Sequence, residues 1–124
     1  MRAITRSLLP LLGITCLAYT GASAAGSFDG VYRGTQQATG TNNSANCAKI
    51  DHDTALRIEN NHFTRTWSVP LSVDVAADGS FSASAIASQR PLRTAQITGK
   101  ITGGNLEADI GTDLCRAHLS LKKA

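Results

Sequence analysis

The stretch ITGKITGGNLEADIGTDLC, residues 97–115, alternates apolar and polar side chains and carries Gly99, Gly103, Gly104 and Gly111 within nineteen positions. Alternation with a period of two marks a strand with one buried face, because successive side chains of an extended chain point to opposite sides. Ala95, Ile97, Gly99 and Ile101 fall on one face of the first segment, Leu106, Ala108 and Ile110 on one face of the second. Cys115, Ala117, Leu119 and Leu121 do the same in the third. Gly103-Gly104, and the run from Gly111 to Asp113, supply the turn chemistry between them, since tight hairpins need residues that tolerate positive φ. Residues 95–121 are therefore expected to form a three-stranded antiparallel meander.

Its register follows from the loops. With Ile101 and Leu106 flanking the first loop, Gly99 faces Ala108, Ile97 faces Ile110 and Lys100 meets Glu107. With Ile110 and Cys115 flanking the second, Ala108 faces Ala117, Leu106 faces Leu119, Asp109 meets Arg116 and Glu107 meets His118. Opposite charges then oppose each other on the outer face, each pair worth about 0.2–1 kcal/mol.

The same pattern runs through the rest of the chain. Leu71, Val73 and Val75 share a face in PLSVDV, and Phe81, Ala83 and Ala85 share one in FSASA. DGVYRG (29–34), NNHFTR (60–65), DGSFSA (78–83) and GGNLEA (103–108) form a weak repeat of a turn pair followed by a large apolar residue. No segment sustains helical spacing. The expected fold is all-β, a small antiparallel meander of seven to eight short strands, closed as a compact barrel or thin sandwich. Many inward positions are Ala or Gly, which favours a tightly filled interior over a large ligand cavity.

The N-terminus reads as a targeting segment. Arg2 and Arg6 precede an apolar run from Leu8 to about Tyr19, broken by Pro10 and Gly13, and a small-x-small site follows at Ala22–Ala24. Residues 1–24 are thus expected to be a cleaved signal peptide and 25–124 a single all-β domain, with a polar loop at about 36–46. The run is shorter than the ~20 residues of a membrane span, and the mature chain has no further one. Cys16 suits lipidation poorly, because Ile14 and Thr15 precede it. Losing Arg2 and Arg6 and no acid lowers the formal net charge from +3 to +1, so nucleic acid is not an expected partner.

Export leaves Cys47 and Cys115, 68 positions apart, as an expected disulfide. Closing a loop of that length stabilises a fold by roughly 4 kcal/mol on the chain-entropy account.

Candidate sites are sparse. Glu107, Asp109 and His118 share the outer face, where they could serve as an acid/base group in a small hydrolase or as cross-strand ion pairs. Asp51, His52 and Asp53 place two carboxylates on one side of an extended chain, fewer than a metal requires. Asn42-Asn43-Ser44 is a formal glycosylation acceptor. Neither a catalytic residue set, a cofactor site nor a metal site is expected. Arg65 is the local conflict: it shares the core face with Phe63 and Trp67, and a charge there must be paired or placed at an edge. Arg65 and Trp67 are accordingly the best candidate binding spot.

The DGVYRG start and the ITGKI…L…C…L ending resemble small exported bacterial β-proteins, a resemblance that carries no assigned activity. Small periplasmic enzyme-inhibitor barrels are similar in size and export, but their signature motifs are missing. The expected function is a non-catalytic binding or inhibitory module, periplasmic or extracellular, acting on an envelope or extracellular protein or glycan. The alternatives are a structural envelope component and the small hydrolase.

Overall fold

The computed structural model describes residues 26–41 and 50–124. The expected signal peptide, Cys16, Asn42 and Cys47 lie outside the described residues. Eight strands are present: β1 (Gly30–Thr41), β2 (His52–Ile58), β3 (His62–Trp67), β4 (Val69–Asp74), β5 (Ser80–Gln89), β6 (Leu92–Thr102), β7 (Asn105–Gly111) and β8 (Cys115–Lys123). All pair antiparallel. Six of them form a curled half-barrel sheet in the order β2-β1-β8-β7-β6-β5, and β3-β4 form a small second sheet.

Strand β1 separates the expectation from the structure at one boundary. The polar stretch from residue 36 is not all loop, because β1 runs to Thr41 along β8, from Tyr32 opposite Lys123 to Thr41 opposite Cys115. The ladder satisfies the backbone groups of a segment whose side chains alone suggested a loop.

The inward face predicted by alternation is the core. Tyr32, Ile58, Phe63, Leu71, Val73, Phe81, Ile97, Leu106, Ile110, Leu119 and Leu121 are all buried, and both sheets contribute to one cluster. Phe63 of the small sheet meets Phe81 of the large one edge to face, with ring centroids 5.3 Å apart. Gly99 explains itself here: a Cβ would come within 2.6 Å of Phe81 Cζ and of Ala108 Cβ. It is a packing glycine in mid-strand rather than a turn residue.

The first expected hairpin register is found in full: Ile101 faces Leu106, Gly99 faces Ala108, Ile97 faces Ile110 and Lys100 faces Glu107. The second is shifted by two. Ala108 faces Leu119, Leu106 faces Leu121, Asp109 faces His118 and Glu107 faces Ser120. The faces are unchanged, as a two-residue slip requires. The reason lies in Gly111, which stays in the ladder opposite Arg116 at φ 151°. Thr112 N–H then donates to the Cys115 carbonyl at 2.9 Å, and the turn shrinks to Asp113-Leu114. A side chain at 111 would run into that carbonyl.

One end of the molecule is sealed. The Asp29 carboxylate accepts from the backbone N–H of Asn60 and Asn61, both at 2.8 Å, and both asparagines take positive φ. Asn61 Oδ1 accepts from Phe28 N–H at 3.0 Å, and the Tyr32 hydroxyl donates to the Phe28 carbonyl at 2.7 Å.

Gly99→Val should lower stability by about 2 kcal/mol or more through overpacking, a fall in melting temperature of roughly 10 °C. Gly103→Asn, in open space at φ 58°, should leave the thermal transition nearly where it was.

Candidate functional site

Arg65 sits where alternation puts it, on the inward face of β3 between Phe63 and Trp67, and it is half-buried. No backbone ladder joins β3 to β2 beyond the bridge between Glu59 and His62 at their turn. The Arg65 side chain spans that seam instead. Nη2 donates to Gln36 Oε1 at 2.7 Å, and Nη1 reaches the Ala55 carbonyl at 3.4 Å.

Gln36 is itself buried, at 5% exposure, on the inward face of β1. Its amide nitrogen lies 3.2 Å from the Ile50 carbonyl and 3.1 Å from His52 Nε2. Since a guanidinium only donates, Gln36 Oε1 must face Arg65 and Nε2 must point the other way. His52 Nε2 is then an acceptor, and its proton sits on Nδ1, 2.9 Å from the Asp53 carbonyl. The chain of bonds from His52 through Gln36 to Arg65 therefore has one direction. Every acceptor on it is neutral: among the described residues no carboxylate contacts the Arg65 guanidinium. Desolvation by burial holds its pKa below the usual arginine value.

The outer cluster is the opposite case. The two-residue register shift puts Asp109 directly across from His118. His118 Nδ1 lies 2.9 Å from Asp109 Oδ1, its Nε2 lies 2.6 Å from Glu107 Oε1, and Ser120 Oγ donates to Glu107 Oε2 at 2.8 Å. Hydrogen bonding to Asp109, and next to Glu107, raises the His118 pKa above its ordinary 6.5. Hydrogen bonding to His118 lowers that of Glu107 below 4.5. The ring stands between the two carboxylates, and when it is protonated each nitrogen donates to one of them. The cluster is a histidine set between two acids on an open sheet face. It unites the three residues singled out in the sequence and adds Ser120.

Other expected residues do not converge. Asp51 Oδ1 accepts from Ala38 N–H, while His52 turns to Gln36. Arg93 forms a two-pronged pair with Asp113, at 2.8 and 2.9 Å, beside an open polar depression of about 480 Å3 on the outer face of β6 and β7. At the end opposite the sealed one, large apolar side chains reach solvent: Ile86 at 53%, Leu92 at 66% and Leu114 at 39% exposure. The up-and-down strand order brings the Leu92 and Leu114 turns to the same end as Trp67, Val69 and His52, with Ile86 on the outer face of β5 just below them. There the inward side chains Arg65, Trp67, Val69, Ala85 and Ala87 are only half-buried.

The alternation pointed to Arg65 and Trp67 but not to Gln36, the partner of Arg65, or to His52 behind it. A signal existed: Gln36 has the same strand parity as Tyr32, which marks an inward polar residue that needs a partner. Comparison with family models, with curated proteins and with solved structures finds no match for this chain.

The raised His118 pKa and lowered Glu107 pKa fix a pH window. The His118 contribution is complete below about pH 6.5 and fades as pH rises through the raised value. The Glu107 contribution is complete above about pH 4.5 and fades as pH falls through the lowered value. Urea unfolding should give higher stability at pH 6 than at pH 8.5, by less than about 1 kcal/mol for so exposed a group. His118→Gln should remove that difference.

Proposed function

We propose that this chain is an exported, non-catalytic binding or inhibitory module acting on an envelope or extracellular partner. The observation that carries the reading is the asymmetry of the two ends. One is closed by the Asp29, Asn60 and Asn61 bonds. The other presents Leu92 and Leu114 to solvent near a half-covered interior that holds Arg65 and Trp67, with Ile86 exposed on the outer face of β5. Apolar side chains gathered at one end of a small domain suit a recognition surface. The doubly held His118 favours binding over hydrolysis. The charged start, short apolar run and small-x-small site of residues 1–24 support export.

The same reading includes the Cys47–Cys115 staple. Cys115 opens β8 opposite Thr41, and Cys47 lies six residues beyond Thr41 in the chain. Six residues span up to about 20 Å, ample for the ~5.5 Å Cα separation of a disulfide. The bond would fasten both strands at the exposed apolar end. Peptide mass analysis without reduction should find 47 linked to 115, and reduction should lower the melting temperature by more than about 10 °C.

The function is tested with the immobilised mature chain and envelope extract. A discrete partner should be retained by the native chain, and retention should fall at least about tenfold in the folded double variant Leu92→Asp/Leu114→Asp. Retention that is equal in both, or that never exceeds a blank surface, would count against the module.

A further inference from the structure

We propose that the open end binds a carboxylate group on the Arg65 guanidinium, with the apolar part of its carrier against Trp67. This rests on the binding-module reading and names the chemistry that the partner presents. A guanidinium carries five N–H donors in a rigid fork. Gln36 Oε1 takes one at 2.7 Å and the Ala55 carbonyl takes a second at 3.4 Å. The remaining three have no acceptor among the described residues.

The fork is fixed in place before any ligand arrives. Gln36 is buried and held by Ile50 and His52, so its oxygen cannot turn away from Arg65 without breaking two other bonds. A half-buried cation with only neutral acceptors gains more from an anion than an exposed one does, because fewer waters compete for it. The anion class follows from the donors. A single planar fork matches the two oxygens of a carboxylate. No lysine or second arginine joins this network to balance the extra charge of a phosphate. Trp67 is the next inward residue toward the open end and is half-buried, so it supplies apolar surface on the same strand face as the charge. The carboxylate could belong to a free organic acid or to the C-terminus of a peptide chain. Both present the same group.

Trp67 is the only tryptophan of the chain, so its emission reports on the site alone. The mature protein is titrated with benzoate, and with benzamide and sodium chloride at matched ionic strength. A saturable change with benzoate, not reproduced by either control, is expected. Arg65→Gln should weaken the response at least about tenfold, and Arg65→Lys, which keeps the charge and loses the fork, should weaken it too. Should Arg65→Gln fail to fold, the Arg65 Nε–H resonance of the native protein decides: it should shift with benzoate and stay still with benzamide. No saturable change, an equal change with chloride, or an unmoved Arg65 resonance overturns the proposal. Acetyl-Ala-Phe and its C-terminal amide separate the two sources. Binding of the free acid at least about tenfold tighter than benzoate assigns a chain terminus, and binding no tighter than benzoate assigns small acids. Partner capture that survives Arg65→Gln, with no benzoate response, overturns this site and leaves the module. A benzoate response without any captured partner overturns the module and leaves the site.

Discussion

The structure depends on the ladder between its first and last described strands. β1 pairs with β8 from Tyr32 and Lys123 to Thr41 and Cys115, joining segments separated by most of the chain. Closing that distance is entropically unfavourable, and it is offset only when the intervening meander already holds β8 in place. β1 is also an interior strand, with β2 on its other edge. Remove it and the large sheet loses two strands at once, together with Tyr32 from the core. The ladder sets the site as well, because it is β1 that carries Gln36 to the mouth of the interior.

The seam between the two sheets is the second constraint. Strand edges expose backbone groups that must be satisfied by something. Between β2 and β3 the backbone contributes a bridge at the Glu59–His62 turn, and farther along Arg65 supplies a side-chain donor to Ala55. An arginine on a core face is costly unless its donors find oxygen. Here its long apolar stem packs inward while its head reaches the neighbouring strand's carbonyl and a buried amide. The residue that looked like an error in the alternation supplies a polar tie across the seam, beside the apolar packing of Phe63 on Phe81.

Alternation made the fold legible. Every inward set named from sequence in the 95–121 meander is buried in the structure except Gly99 and Cys115, which are half-covered. The first hairpin register was readable because Gly103-Gly104 is an unambiguous turn. The second was not, because Gly111 is a strand residue whose lack of a side chain lets β7 and β8 stay paired past the expected end. Glycine signals backbone freedom without saying whether a turn or a close approach uses it. The site was half legible for a related reason. Arg65 announced itself by breaking parity, whereas its partner Gln36 lies 29 residues away in a stretch whose composition suggested a loop.

The His118 cluster and the Arg65 network differ in how their charges are balanced. On the outer face the His118 ring meets two carboxylates, and a serine hydroxyl joins one of them, so a positive charge on the ring is answered on both sides. At the interior mouth one guanidinium meets an amide and a carbonyl, so its charge is unanswered. A glutamate at position 36 would differ from Gln36 in one atom and would neutralise Arg65 in a short, partly buried ion pair. Such a pair would also leave His52 Nε2 and the Ile50 carbonyl without the amide donor they now share. The neutral amide satisfies all three neighbours and keeps the positive charge available. An arrangement that orders an arginine while leaving it electrically uncompensated suits an incoming anion better than it suits stability alone.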